Sequence, residues 1–208
     1  MYIYLFGSLC RGELDEFSDI DLLVVHDSEQ KNISQLDTQI YSIYSEKRLL
    51  ELWDEGNPFA WHLFKESTLV YSLNNENLIQ KWGEPNQYVN MEIDLRKFSN
   101  LFYESLSSIE SSNYSLEFDL SMLFLSIRNF ATCYSLGFLN QFNFSRKSAL
   151  MLESDKLDIS SDCFSILERA RIMSTRGIGN RTTDVEIKKV KQEIQKISDW
   201  FDLILRKI

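Results

Sequence analysis

Two aspartates, Asp19 and Asp21, stand two residues apart at the head of an apolar run in the segment GSLCRGELDEFSDIDLLVV, residues 7–25. Residues 20–25 read as a strand, in which side chains two apart leave the same face, so both carboxylates would point the same way. Paired hard oxygens on a rigid edge suit Mg²⁺, which accepts one or two protein carboxylates and completes its shell with water and substrate phosphates. Upstream, Gly7 and Ser8 follow the apolar strand 1–6 and offer backbone N–H groups and a hydroxyl where a triphosphate would lie. A metal site beside a phosphate site implies nucleotide chemistry.

Elements that would position these residues alternate quickly in the first part of the chain. Strands are expected at 1–6, 20–25, 38–44 and 68–73. Leu49, Leu50, Leu52 and Trp53 mark a helix that stops at Gly56, and Pro58 opens a second over 59–66. The polar stretch 26–36 is too brief for a long crossover helix. From about Met91 onward the pattern turns helical. Ile93, Phe98, Leu101, Phe102, Leu106 and Ile109 recur at threes and fours on one face. A more apolar helix runs from near Leu116 to Tyr134, with Gly137 expected as its C-cap. A third is expected from around Ser145 and a fourth over 162–173 before Gly177. The last starts at the capping-box pair Thr183 and Glu186, and it carries a stripe from Val185 to Ile204 that would serve the core or a second copy in a homodimer.

Gly7, Ser8, Arg11, Gly12, Ser18, Asp19 and Asp21 together resemble the signature of the nucleotidyltransferase superfamily that includes DNA polymerase β, kanamycin nucleotidyltransferase and the minimal nucleotidyltransferases: Gly-Ser, Arg-Gly, then Ser-Asp-x-Asp at a strand. The segment NPFAWHLFKESTLVY, from Asn57, resembles the stretch after the third strand in small members, where a helix ends in an acid before a short strand. The resemblance implies an α+β protein with a small mixed-sheet nucleotidyltransferase domain, residues 1–90, followed by an all-α helical bundle, 91–208. It also implies that Asp19 and Asp21 bind Mg²⁺, that Gly7 and Ser8 hold an NTP, ATP first among them, and that Arg11 offsets phosphate charge.

Related enzymes place a third carboxylate on the neighbouring strand, where two-metal catalysis uses it to bind the second ion and polarise the attacking hydroxyl. The expected strand 38–44 contains no acid. The nearest candidate is Asp37, as a third ligand carried inward by a bulge or register shift, or as a solvated turn residue. The family position would fall nearer Gln39 or Ile40. Residues 126–150 resemble the helical modules that accompany minimal nucleotidyltransferases, among them the HEPN group, whose ribonucleases follow Arg-Asn or Arg-Asp with a His. Here Arg128 and Asn129 are followed by Tyr134 in the His position, and a phenol does not exchange protons near neutral pH. Ribonuclease chemistry by that route is not expected, and Arg128 is left to an ion pair or a phosphate contact.

Composition narrows the partners. With 208 residues, 44% hydrophobic and 13% aromatic, the chain can bury substantial cores, and no apolar run approaches a membrane span. A net charge of −9 opposes a broad grip on duplex DNA. Arg146, Lys147, Arg169, Arg171, Arg176 and Arg181 gather in the later half, as a local phosphate pocket or as ordinary solvated helix faces. Cys10, Cys133 and Cys163 fit reduced thiols, and the start lacks a basic leader, so a cytoplasmic protein is expected. His62, among Trp61, Leu63 and Phe64, reads as a packed core residue before a catalytic base. The function expected is transfer of a nucleoside monophosphate to a hydroxyl on a small molecule such as an aminoglycoside, or on a protein side chain. The alternative is an impaired nucleotide-binding regulator or interaction module.

Overall fold

The computed structural model describes residues 1–13, 18–27, 36–38, 40–111 and 114–208. Its contacts divide the chain into two compact units, Met1–Asn90 and Met91–Ile208.

In the first unit, β1 (Tyr2–Phe6), β2 (Asp21–His26), β3 (Tyr41–Ser45) and β4 (Thr68–Ser72) form one sheet in the order β3-β2-β1-β4. Pairing is antiparallel at β1/β2 and β1/β4 and parallel at β2/β3, so the sheet is mixed, as the motif's family implies. Leu23, Val24 and Val25 are buried on both sides of β2, which explains its unbroken apolar run. Helices α1 (Ser8–Arg11), α2 (Glu46–Asp54), α3 (Pro58–Glu66) and α4 (Leu78–Trp82) complete the unit. Ser45 caps α2 by accepting the Arg48 N–H, and Asn57 caps α3 just ahead of Pro58, whose fixed φ suits a first helical residue. Tyr4, Leu23, Val25, Leu49, Trp53 and Leu63 share the core. The Tyr4 hydroxyl donates to Asn77 Oδ1 at 3.0 Å and accepts the Ile79 N–H at 3.2 Å, tying β1 to α4.

The third strand begins at Tyr41 rather than Thr38. The Asp37 carbonyl accepts the N–H groups of Ile40 and Tyr41 at 3.0 and 2.9 Å, so this stretch is committed to a turn and the ladder starts after it. The polar stretch after β2 lies mostly outside the described residues.

The second unit holds α5 (Met91–Ser111), α6 (Leu116–Gly137), α7 (Ser161–Arg176) and α8 (Asp184–Leu205). Leu120, Leu123, Ile127, Phe130 and Tyr134 are buried along α6. In α8 the Thr183–Glu186 capping box forms in full. Of its stripe, Val190, Ile197, Phe201 and Ile204 are buried while Val185 stays exposed, so the stripe is mainly core. Two expectations are corrected. The region after Ser145 makes two short 3₁₀ turns, Ser148–Met151 and Glu153–Asp155, because its groups bond locally and to α6: Ser148 Oγ donates to the Arg128 carbonyl at 3.0 Å. Gly137 is the last residue of α6 and not its left-handed cap. A Cβ there would lie 2.7 Å from the Met91 side chain, so close helix approach is what excludes a larger residue.

Candidate functional site

The Gly-Ser bend is a one-turn helix that joins β1 to the approach of β2. Gly7 has φ 80° and ψ −148°, close to the region that only glycine enters without strain, and Gly12 closes the turn in the left-handed region at φ 71°. Phe6 pairs with Asp21 in the sheet, so the first residue of β2 lies beside the bend. The approach is intimate: a Cβ on Gly7 would meet Asp21 Oδ2 at 2.2 Å. Glycine is therefore needed at position 7 twice, for its backbone angles and for the room it leaves a carboxylate.

Ser8 is buried, Asp21 is half-buried and Asp19 is exposed two residues ahead of the strand. The sequence motif thus brings Gly7, Ser8 and Asp21 to one end of the β1/β2 pair, with Asp19 on the approach. Both carboxylates are hard oxygen donors, the ligand type that divalent cations such as Mg²⁺ take.

Asp37 behaves differently. It is exposed in the turn before β3. The β2/β3 ladder opens at Leu22 with Tyr41, after the turn that holds Ile40. The strand itself, Tyr41–Ser45, carries no carboxylate. Among the described residues, no three His, Cys, Asp or Glu side chains gather into a metal-holding group.

Arg11 turns toward carboxylates. Its Nε lies 2.8 Å from Glu13 and its Nη1 2.6 Å from Glu66, and Glu66 also lies 3.0 Å from His62 Nε2. Burial works to raise the Glu66 pKa, but hydrogen bonds from His62 and Arg11 outweigh it and hold the group below the usual carboxylate range. His62 is packed edge-on to Phe6 and Phe59, the core placement expected of it. The network ties the short α1 to the end of α3, so Arg11 braces the bend as well as lying next to it. Sequence reasoning noted the acid ending α3 without assigning it. The signal was there in the His62–Glu66 spacing of four, one helical turn.

In the second unit, Arg128 Nη2 donates to the Phe144 carbonyl at 3.1 Å, and the fully buried Tyr134 donates to Asp155 Oδ2 at 2.7 Å. Burial, then the bond to Asp155, raises the Tyr134 pKa far above its ordinary value. Both residues serve the packing of α6. Arg146 lies 3.5 Å from Glu168, and Arg169 lies 2.8 Å from Glu186.

No helix among the described residues is long and apolar enough to cross a membrane. No curated protein matches the chain. Residues 1–76 match the family model described as polymerase beta, nucleotidyltransferase, a span that contains the Gly7–Ser8 bend, Asp19, Asp21 and the whole of the sheet. The first unit therefore carries a nucleotidyltransferase domain of the polymerase beta family, followed in the chain by a helical region.

Proposed function

We propose that this protein binds an NTP with Mg²⁺ and transfers its nucleoside monophosphate to a hydroxyl acceptor, releasing pyrophosphate. The observation that carries the reading is the packing of the Asp21 carboxylate against the Gly7 bend. In this reading Asp21 and Asp19 hold the ion, which when bound neutralises charge on the transferred phosphoryl group. The bend's backbone N–H groups and Ser8 hold the phosphates, while Arg11, braced by Glu13 and Glu66, keeps the bend in shape. ATP is the proposed donor. The net charge of −9 favours a cationic acceptor such as an aminoglycoside, and a protein side chain is the other candidate.

A second reading is favoured by one specific observation: β3 carries no carboxylate, and Asp37 is exposed in the turn before it. With two carboxylates the domain would bind metal-nucleotide and transfer slowly or not at all, as a regulator. Incubation with α-labelled ATP, Mg²⁺ and candidate acceptors separates the two, with Asp21→Ala as the control. Acceptor labelling that disappears in Asp21→Ala supports transfer. Calorimetric binding of Mg-ATP without labelling supports the regulator, and absence of both overturns both readings and leaves an interaction module.

A further inference from the structure

The second unit contains a cavity of about 470 Å³ where the start of α6, the end of α7 and the lead into α8 meet. Its volume is in the range of small-ligand sites. Tyr114, Phe118, Ser174, Arg181 and Thr182 line it. Tyr114 is fully exposed and Phe118 more than half exposed, so two aromatic faces are held in water at its rim. The acid in the lining is already engaged: Glu117 accepts the Thr182 N–H with one oxygen and the Thr182 hydroxyl, at 3.1 Å, with the other.

Cationic charge beside the cavity is not balanced in this way. Arg171 Nη1 donates to the Ser121 hydroxyl at 3.3 Å. Phe118 and Ser121 are neighbours three apart on α6, and Arg171 and Ser174 are neighbours three apart on α7, so this contact adjoins the cavity. Burial first, then the charge of Arg176, lowers the Arg171 pKa, and no carboxylate among the described residues pairs with it. Arg146 and Arg169, by contrast, each face a glutamate. A half-buried guanidinium hydrogen-bonded only to a hydroxyl, next to a cavity with a second guanidinium and exposed rings, has the chemistry that recognises a phosphate carrying a planar base.

We propose that this cavity binds a nucleoside monophosphate group, with the base stacked on Phe118 and Tyr114 and the phosphate met by Arg181 and Arg171. The group is a free nucleotide or the 5′-phosphorylated end of a single-stranded RNA. This site is independent of the Mg-NTP reading of the first unit, and metal is not needed for it.

The test titrates the full-length protein into 1,N⁶-etheno-AMP in EDTA and follows fluorescence anisotropy. Saturable binding below about 1 mM is expected. Arg181→Ala and Phe118→Ala, both at exposed positions that leave the fold intact, should each weaken it at least about fivefold, whereas Asp21→Ala should leave it unchanged. Unlabelled AMP should compete at least about tenfold better than adenosine. A 5′-phosphorylated pentanucleotide that competes as well as AMP or better assigns the group to an RNA end, and poorer competition assigns it to a free nucleotide. The proposal is overturned if no saturable binding occurs, if adenosine competes as well as AMP, or if Arg181→Ala and Phe118→Ala bind like wild type. Loss of Mg-ATP binding in Asp21→Ala with etheno-AMP binding intact would show that the two sites stand or fall separately.

Discussion

Substituting alanine for Gly7 tests the site geometry without any knowledge of the acceptor. Two costs act together. The backbone at φ 80° and ψ −148° lies near the glycine-only region, which costs another residue about 2 kcal/mol. The new Cβ would also stand 2.2 Å from Asp21 Oδ2, and the carboxylate must retreat to at least 3.4 Å to regain ordinary contact. Forcing that side chain off its rotamer adds about 1 kcal/mol. Gly12→Ala is the internal control: φ is 71° but nothing lies within 4 Å of its Cβ, so only left-handed strain of about 1 kcal/mol applies. In an Asp21→Ala background the carboxylate is gone, and Gly7→Ala should cost only the backbone part, a coupling of about 1 kcal/mol. Urea unfolding followed by tryptophan fluorescence measures this, since Trp53, Trp61 and Trp82 all belong to the first unit. Calorimetry on the same proteins should show Mg-ATP affinity falling at least about tenfold in Gly7→Ala and less than about threefold in Gly12→Ala. The reasoning fails if Gly7→Ala costs no more stability than Gly12→Ala, or the same with and without the Asp21 carboxylate.

Asp37→Asn should leave Mg-ATP affinity and transfer within about threefold of wild type, because its side chain is exposed before β3; a tenfold loss in the labelling assay would restore it as a ligand. Tyr134→Phe should destabilise the second unit by about 1–2 kcal/mol in thermal melts, by removing a hydrogen bond to the buried Asp155. Asp155 also pairs with Lys207, and its main-chain carbonyl accepts the Trp200 indole N–H at 2.7 Å, so Trp200 fluorescence reports on this corner. The Lys207 hydrogen bond is the largest influence on Asp155 and holds its pKa below the ordinary value of 3.8. A carboxyl depressed on folding stabilises at pH values above its unfolded pKa and loses that contribution as pH falls through the folded one. The stability gap between wild type and Lys207→Ala should therefore be full at neutral pH and shrink below about pH 4. A gap constant down to pH 2 would remove the pair from the account.

How far the site could be read from sequence differs from residue to residue. The nearness of the Gly7–Ser8 bend to Asp21 was legible because a glycine turn after one strand and an acid at the head of the next form a local pattern, and local patterns survive whatever the rest of the chain does. The strands and the long helices were legible for the same reason, since periods of two and of three to four are written within each segment. Misreadings came where a distant or competing bond intervened. The Asp37 carbonyl took the N–H groups of Ile40 and Tyr41, so β3 began late, and Met91 pressing on Gly137 mimicked the signature of a helix cap. Arg11 also pairs with Glu66 across 55 residues of chain, a contact that no local pattern announces. The cavity of the second unit draws its lining from three separate segments. Chemistry carried by neighbours in sequence is visible from the chain alone. Partnerships such as Arg11 with Glu66, or Tyr41 beside Leu22, arise only once packing has chosen among many possible mates, because side-chain charge and register do not state which remote segment will answer them.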